Sequence, residues 1–547
     1  MAAIAAFDKL NPRQREAATC GQRPLLIIAG AGTGKTNTLA HRVAHLILEG
    51  TSPERILLLT FTRRAAIEMT RRAQRIVGEV MKEVRLPWSG TFHSIANRLI
   101  RRHCKAVGLG ESFSVLDRGD AADLMDLARH ERGLSKAQKR FPRKDTCLAI
   151  YSHRVNTQRP LAHTLQEQFP WCAEWEPELN GLFKAYVEGK LANQALDYDD
   201  LLLYWHAMMS DAALAQEIGV RFDHVLVDEY QDTNALQAGI LKGLRPSGEG
   251  LTVVGDDAQS IYSFRAATVE NMRQFCSHYS SAAVVSLEEN YRSTQQVLDA
   301  ANALIGKDLK SRKPGGAKPR YVTVADDEAQ ARYVVKQVLE ARERGVLLRR
   351  QAVLFRSSHH SDMLEMELVR RNIPYAKYGG LKFLEAAHVK DLLAVLRWAD
   401  NPKNRVAAFR ALQLEPGVGP ATAERIFTRF EAQGHAWQSL ASGAAHFDDL
   451  MRFLGPAPWE GQLQRAREWY EPHLERLYDA AQVRAGDLLQ LERIASSFQT
   501  REAFLTEMAL DPPGAASDLS GAPYLDEDYL VLSTIHSAKG QEWDAVH

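Results

Sequence analysis

Short apolar runs alternate along the chain with longer segments in which apolar residues recur at helical spacing. This alternation is typical of an α/β fold with parallel sheets, in which crossover helices join the strands. The predicted strands are Leu25–Ala29, Ile56–Thr60, His224–Asp228, Leu251–Gly255, Val284–Glu288, Ala352–Arg356 and Tyr529–Thr534.

Two long stretches lack such runs, at residues 96–212 and 385–523. Their charged, amphipathic patterns predict helices, and the Pro-, Gly- and Ser-rich run at 511–523 is typical of a linker. The sequence therefore predicts two α/β lobes, each carrying a mostly helical insertion. The first lobe would comprise residues 1–95 and 213–286, and the second residues 287–384 and 524–547.

The composition is that of an ordinary globular protein, since 45% of the 547 residues are hydrophobic and 25% are charged. The 68 Lys and Arg residues balance the 68 Asp and Glu residues, so the formal net charge is zero. These values exclude a disordered chain, a collagen-like fibre and a globally basic, histone-like binder. A local basic groove for nucleic acid is compatible with zero net charge.

The five cysteines are scattered and form no C-x-x-C pair, so neither a disulfide framework nor a zinc site is predicted. The first ten residues, MAAIAAFDKL, lack the basic start of a signal peptide. No apolar run approaches the ~18 residues that a membrane-spanning helix needs. The sequence predicts a soluble, cytoplasmic protein without a membrane partner.

A nucleotide site is predicted at residues 24–36, PLLIIAGAGTGKT, where an apolar strand leads through a glycine-rich loop into a helix. This is the context of a P-loop, whose backbone N–H groups cradle phosphate oxygens. Lys35 would neutralise the β- and γ-phosphates, and the Thr36 hydroxyl would bind Mg²⁺. The loop begins with Ala29 where a P-loop ordinarily has Gly, a position that mainly requires a small residue. The predicted nucleotide-binding residues of this loop are Ala29, Gly30, Ala31, Gly32, Thr33, Gly34, Lys35 and Thr36.

A P-loop also needs acidic residues at a neighbouring strand end, to hold Mg²⁺ and to orient water. The segment HVLVDEYQDTN at 224–234 supplies them at the end of a predicted strand. Asp228 would hold the Mg²⁺, and Glu229 would polarise the attacking water as general base. Together the two elements predict a nucleoside triphosphatase.

The run VDEYQDTN resembles the UvrD/Rep family of superfamily 1 DNA helicases, and further segments resemble other motifs of that family in the family's order. The resemblance extends over essentially the whole chain. It implies two RecA-like motor lobes, ATP as the nucleotide and Mg²⁺ as the metal. The segments are LNPRQREAA (10–18), LLTFTRRAAIEM (58–69), GTFHS (90–94), LDYDDLL (196–202), VVGDDAQSIYSFRAA (253–267), LEENYRST (287–294) and LSTIHSAKGQEWDAV (532–546).

The resemblance also assigns nucleotide contacts outside the P-loop. Gln14 would read the adenine edge, Tyr291 would stack on the adenine ring, and Glu542 would contact the ribose. Gln259 would sense the γ-phosphate, and Arg292 would reach it from the second lobe, with ATP bound between the lobes. The implied catalytic residues are Lys35, Glu229, Gln259 and Arg292.

A DNA track is suggested by aromatic residues interleaved with hydroxyl and basic residues in these motifs. Ring faces can stack on unpaired bases, and hydroxyl and basic groups can bind the phosphate backbone without reading sequence. Where much of the family has Trp, this chain has Phe264. Single-stranded DNA and single-strand/duplex junctions are the expected partners. The predicted DNA-binding residues are Thr60, Phe61, Thr62, Arg63, Thr91, His93, Tyr262, Phe264, Arg265 and His536.

Two features in the second half of the chain predict structure or function less specifically than these motifs do. The turn at 417–419 in EPGVGPATAERI resembles a helix-hairpin-helix that could grip duplex phosphates, and a plain helix–helix turn explains it equally well. The chain stops at His547, directly after the last motif, whereas family members continue to a further arginine motif. We therefore expect a piece of a longer helicase, with an open sheet edge at residues 529–533.

The sequence thus predicts an ATP-dependent 3′→5′ DNA helicase that moves on single-stranded DNA, in repair or replication restart. Two alternatives are left open. One is a nucleotide- and DNA-binding module with little turnover, and the other is the motor part of a helicase–nuclease.

Overall fold

The computed structural model describes residues 7–78, 85–110, 113–134, 141–263, 266–378, 384, 386–437, 458–478, 481–510 and 528–547. Internal contacts divide the chain into two compact units, residues 1–319 and 320–547. Each unit contains a parallel sheet, and the predicted α/β class with two RecA-like lobes is confirmed. No helix in the described ranges is long and apolar enough to cross a lipid bilayer.

The first unit is built on a six-stranded sheet with the order β3-β2-β6-β7-β1-β8. All of its pairings are parallel, so the carboxyl ends of the six strands meet at one edge. Every predicted strand of this lobe forms, within a residue of its expected ends, and a short edge strand at 89–91 forms that the sequence analysis missed. The strands are β1 (Leu25–Ala29), β2 (Ile56–Thr60), β3 (Ser89–Thr91), β6 (His224–Val227), β7 (Leu251–Gly255) and β8 (Ala283–Leu287).

Helices cover this sheet because the strands are apolar on both faces. Leu25 and Ile27 of β1 are fully buried against Leu39 and Val43 of the helix that follows the phosphate loop. Each such side chain contributes about 1.5–3 kcal/mol when it leaves water. The helices that flank the sheet are α1 (Pro12–Ala18), α2 (Lys35–Leu48), α3 (Arg63–Val77), α4 (Phe92–Arg102), α10 (Ala212–Gly219), α11 (Ala235–Leu244), α12 (Glu270–Arg273) and α13 (Phe275–His278).

The predicted insertion between β3 and β6 contains mostly helices, with one short parallel pair formed by β4 (Ser114–Val115) and β5 (Ala195–Leu196). After β8 the chain forms an arm of two short paired strands around a helix: β9 (Glu289–Asn290), α14 (Gln295–Ile305) and β10 (Lys310–Ser311). The domain boundaries stay predictions. The insertion helices are α5 (Arg118–Glu131), α6 (Lys144–Thr157), α7 (Leu161–Gln168), α8 (Glu176–Ala192) and α9 (Tyr198–Ser210).

The second unit has a four-stranded parallel sheet with the order β12-β13-β11-β14. The expected open edge at residues 529–533 is wrong, because β13 pairs on both sides. One partner is β12, a short strand that the sequence analysis missed. The strands are β11 (Gln351–Phe355), β12 (Tyr375–Tyr378), β13 (Leu530–Thr534) and β14 (Ala545–Val546), and α15 (Asp327–Glu343) and α16 (Asp362–Arg370) accompany them.

Helices fill the described part of the second predicted insertion. They pack around a core that includes the fully buried Trp398 and Phe430, whose rings meet edge to face with centroids 5.7 Å apart. The expected linker at 511–523 lies outside the described residues. The helices are α17 (Ala387–Asp400), α18 (Arg405–Leu412), α19 (Pro420–Ala432), α20 (Gln462–Leu477), α21 (Ala481–Ala495) and α22 (Arg501–Leu510).

Candidate active site and nucleic-acid interface

The phosphate loop turns between β1 and α2 at the carboxyl edge of the six-stranded sheet. Gly32 and Gly34 have left-handed backbones, with φ of 71° and 83°, which residues with a Cβ adopt at a cost. A Cβ at Gly34 would lie 2.7 Å from Gln14 Nε2, and one at Gly32 would lie 2.5 Å from Asn290 Nδ2. Glycine is therefore required at both positions for the loop to keep this conformation.

Hydrogen bonds hold the phosphate loop from within and from α1. The hydroxyl of the buried Thr33 donates to the Gly30 carbonyl at 2.7 Å, and Gln14 Nε2 donates to the Thr33 carbonyl at 2.9 Å. Gln14 Oε1 accepts from the Asn11 N–H at 3.2 Å, which completes a capping box at the start of α1. Both the oxygen and the nitrogen of the Gln14 amide are thus already bonded within the protein. The predicted contact of Gln14 with adenine stays a prediction.

Lys35 is the first residue of α2, and its ammonium faces side chains from two neighbouring strand ends. Its Nζ lies 3.4 Å from Glu229 Oε1 and donates to Gln259 Oε1 at 3.2 Å. The Lys35 and Glu229 side chains are only 10% and 18% exposed. The structure therefore brings three of the predicted catalytic residues together at the ends of β1, β6 and β7, and the half-buried Thr36 follows Lys35 in α2.

The acidic pair directly follows β6 in a strained turn. Glu229 has a φ of 53°, and a left-handed residue with a Cβ costs on the order of 1–3 kcal/mol. Its N–H donates to Asp228 Oδ1 at 3.0 Å, and Gln231 Nε2 donates to its second carboxylate oxygen. Asp228 itself is buried. The turn therefore fixes the Glu229 carboxylate beside Lys35, which fits the functional use of strain at such positions.

The arm that follows β8 lies on the phosphate loop. The Tyr291 N–H donates to the Gly32 carbonyl at 2.9 Å, and Asn290 Nδ2 donates to the Ala31 carbonyl at 2.5 Å. Asn290 Oδ1 accepts the N–H of Arg292 at 2.9 Å. Asn290 therefore places the predicted Tyr291 and Arg292 beside the loop, a role that the sequence analysis missed. Its signal is a short amide side chain able to bond nearby backbone, directly before the Tyr-Arg pair.

The Tyr291 hydroxyl is tied to both α1 and the arm. It donates to Glu289 Oε2 at 2.7 Å and accepts from Asn11 Nδ2 at 2.9 Å. Hydrogen bonds from Arg312 and Tyr291 lower the pKa of Glu289 to about 2, so this carboxylate stays charged at neutral pH. Tyr291 remains 42% exposed, and its stacking on adenine stays a prediction.

Predicted DNA-binding residues cluster at the carboxyl ends of β2, β3 and β7. The rings of Phe61 and Tyr262 stack on each other, with centroids 4.7 Å apart and planes inclined by 22°. Tyr262 lies in the loop after β7 that also carries Gln259. A single loop therefore touches Lys35 of the phosphate site and Phe61 of the predicted DNA track.

The hydroxyl residues of this track serve different purposes. Thr62 and Thr91 are the N-caps of α3 and α4, where each hydroxyl oxygen accepts a backbone N–H at 3.2 Å and keeps its proton for another acceptor. Thr60 is only 1% exposed and donates to the Thr62 carbonyl at 2.8 Å. Its hydroxyl therefore stabilises the turn, and its contact with the DNA backbone stays a prediction. Arg63 begins α3, and the His93 ring meets Tyr198 edge-on at 5.7 Å.

The remaining predicted site residues are not placed in this cluster. Glu542 and His536 belong to the second compact unit, where both follow β13, so their roles stay predictions. Phe264 and Arg265 lie outside the described residues. The turn between α18 and α19 contains Gly417 in the left-handed region, with a φ of 79°, and its grip on duplex DNA stays a prediction.

Comparison with known proteins identifies the family of this chain. Residues 10–280 match the UvrD/REP helicase N-terminal domain, and residues 285–438 match the UvrD-like helicase C-terminal domain. DNA helicase II of Escherichia coli K12 is 32% identical, over 99% of this chain and 78% of the relative. The ATP-dependent DNA helicase PcrA of Staphylococcus epidermidis RP62A is 34% identical, over 99% of this chain and 77% of the relative.

These matches place the chain in a class of ATP-dependent, DNA-acting enzymes. The chain belongs to the UvrD-like family of ATP-dependent DNA helicases.

Proposed function

We infer that this protein is an ATP-driven motor that moves 3′→5′ along single-stranded DNA and separates strands at single-strand/duplex junctions. The observation that carries the proposal is the loop after β7. Its Gln259 bonds Lys35 at 3.2 Å, and its Tyr262 stacks on Phe61 at 4.7 Å. A change at the nucleotide can therefore reach the DNA track through one short loop. DNA repair or replication restart would be the setting of this activity.

The phosphate loop and its neighbours would perform ATP hydrolysis. Lys35, released from Glu229 and Gln259, would pair with the phosphates, whose negative charge attracts an ammonium more strongly than a neutral amide does. Glu229 would then be free to accept a proton from the attacking water. Arg292 would stabilise charge on the γ-phosphate, and Tyr291 would stack on the adenine.

The donor set around the loop also fits Mg²⁺. A threonine hydroxyl and a carboxylate are the hard oxygen ligands that this ion prefers, and Thr36 and Asp228 supply them from α2 and the end of β6. Bound Mg²⁺ would neutralise phosphate charge during hydrolysis.

The DNA track would bind bases by stacking and phosphates by hydrogen bonding. Phe61, backed on one ring face by the buried Tyr262, would offer its other face as the stacking platform, and base–aromatic stacking contributes ~1–3 kcal/mol per base. The hydroxyls of Thr62 and Thr91 and the side chains of Arg63 and His93 lie at the same edge of the sheet, where they could bind the backbone. Such contacts do not depend on base sequence, as a motor that advances along any strand requires.

The first test is ATP hydrolysis measured against the concentration of single-stranded DNA. We expect DNA to stimulate hydrolysis, and Phe61→Ala to raise the DNA concentration for half-maximal stimulation about tenfold, because one stacking contact is lost. The rate without DNA should not change. The control is Trp171→Ala, which removes a ring that is 68% exposed on the helical insertion. Absence of stimulation in the unmodified protein would contradict the proposed function, and equal effects of the two variants would contradict the stacking platform.

A further inference from the structure

Lys307 joins the arm after β8 to the loop after β7. Its Nζ donates to Asp256 Oδ1 at 2.5 Å and to Asp257 Oδ1 at 2.7 Å. The Lys307 side chain is 23% exposed, and Asp256 is only 2% exposed. Lys307 belongs to none of the motifs that the sequence analysis identified, and 50 residues separate it from Asp257 along the chain.

The position of Lys307 is fixed by its neighbours in the arm. The Asn302 side chain bonds both backbone groups of Leu309, accepting from its N–H at 3.1 Å and donating to its carbonyl at 3.0 Å. Leu309 is buried against the phosphate loop, where a Cβ added at Gly30 would come within 2.6 Å of Leu309 Cδ2. The ammonium is thus presented by a segment that is packed on the nucleotide site.

Asp256 transmits this contact to Gln259. Its Oδ2 accepts from Gln259 Nε2 at 2.6 Å, while its Oδ1 accepts from Lys307. Because the amide nitrogen of Gln259 faces Asp256, its oxygen faces Lys35 at 3.2 Å. An amide can be held in one of two orientations, and a carboxylate partner selects the one whose nitrogen faces it.

Lys307 also balances the charge of a buried carboxylate. Burial disfavours the ammonium, but the hydrogen bonds to Asp256 and Asp257 outweigh that effect and raise the pKa of Lys307. Removing the ammonium would leave the Asp256 carboxylate buried without this cation, and such a group moves or recruits another partner. Asp256 bonds Gln259, and Gln259 bonds Lys35. A shift of the Asp256 carboxylate would therefore move the Gln259 amide at the nucleotide site.

We propose that Lys307 is a positioning residue for ATP hydrolysis, holding Asp256 so that the Gln259 amide keeps one orientation at the phosphate site, both while its oxygen faces Lys35 and after Lys35 has moved to the phosphates. The proposal rests on the proposed function, in which Lys35 and Gln259 act on the phosphates. Lys307 bonds Asp256 and Asp257 rather than Lys35 or Gln259, so it acts through these two carboxylates.

The test compares Lys307→Met with Lys307→Arg, which keeps the charge. We expect Lys307→Met to lower kcat for ATP about tenfold, since small misplacements of positioned groups have effects of this order, and to leave KM for ATP within about twofold, because binding is not altered. Lys307→Arg should recover most of kcat. The matched control is Lys310→Met, which removes a lysine of the same arm that is 74% exposed and should leave kcat unchanged.

A second measurement separates positioning from a structural effect. In a Gln259→Ala background, Lys307→Met should cause no further loss of kcat, because the two residues would act in one path. Independent, multiplying losses, or an unchanged kcat in Lys307→Met, would overturn the proposal. The variant Lys35→Ala separates a failure of the proposed function from a failure of this inference. If Lys35→Ala leaves ATP turnover intact, the proposed function is contradicted. If Lys35→Ala abolishes turnover and Lys307→Met does not alter kcat, only the role of Lys307 is contradicted.

Discussion

Replacing Glu229 by Gln should lower kcat for ATP hydrolysis about a thousandfold, because a general base contributes ~10²–10⁴-fold to a rate. The amide keeps the size of the side chain and can still lie beside Lys35, which the carboxylate now meets at 3.4 Å. It cannot accept a proton from water. ATP binding should therefore be retained, and measuring both the hydrolysis rate and the binding of a non-hydrolysable ATP analogue checks this combination.

The matched control for this variant is Glu249→Gln, since Glu249 is exposed and precedes β7, at the sheet edge opposite the nucleotide loop. Its kcat should equal that of the unmodified protein. A Glu229→Gln protein that hydrolyses ATP at a normal rate would show that another group activates the water. Loss of analogue binding would instead give Glu229 a role in holding the site together.

The second large effect concerns a buried ionic cluster in the helical insertion. Lys190, only 2% exposed, donates to Asp197 Oδ2 at 2.8 Å, Asp200 Oδ1 at 2.8 Å and the Tyr151 hydroxyl at 3.1 Å. Burial and the neighbouring Asp197 raise the pKa of Asp200 to about 7. The ammonium of Lys190 thus bonds two buried carboxyl groups of the LDYDDLL segment at once.

Lys190→Met should therefore lower the free energy of unfolding by ~3–5 kcal/mol, as is typical when one partner of a buried ion pair is removed. Urea unfolding followed by circular dichroism measures the change. Lys184→Met is the control, because Lys184 is exposed on the same helix, α8, and its replacement should change the free energy by less than about 0.5 kcal/mol. Equal stability of the two variants would contradict a cluster that depends on the Lys190 charge.

The segment that carries this cluster is hydrogen-bonded to the segment that follows β6. Asp199 accepts from Asn156 Nδ2 at 2.6 Å, and Asn156 Oδ1 accepts from Asn234 Nδ2 at 2.7 Å. Asn234 is the N-cap of α11 and ends the segment that begins with Asp228 and Glu229. The LDYDDLL segment, which the sequence marked only by resemblance, therefore anchors the insertion to the acidic turn.

Local features of this fold and site were predictable from sequence, and long-range ones were not. Most of the seven predicted strands are continuous apolar runs, which is the pattern of a strand covered on both faces, whereas β8 alternates buried and exposed residues. The phosphate loop was recognisable because all its residues are adjacent in sequence. The strand at 375–378 was missed because YAKY is short and has a central lysine. β13 was expected at an edge because family members continue beyond the last motif, and its pairing with β12 and β11 overturns that expectation.

Contacts between distant segments left no comparable signal. The side chain of Asn290 reaches the phosphate loop across 259 positions, and that of Lys307 reaches Asp256 across 51. Thr60 shows the converse: its residue type suits a DNA contact, but the strand end buries its hydroxyl. Residue type and order predicted the kind of site. Only the packing of the arm and of the turns revealed which side-chain atoms are already bonded within the protein and which can bind a ligand.

The measurement that tests the central claim most directly is strand separation on duplexes that carry a single-stranded tail at either the 3′ or the 5′ end, with and without ATP. A motor that moves 3′→5′ on the strand it binds should unwind the 3′-tailed duplex in an ATP-dependent manner and leave the 5′-tailed and blunt duplexes intact. Unwinding of the 5′-tailed duplex alone would contradict the proposed direction. ATP hydrolysis without unwinding of any of the three would contradict a motor that separates strands.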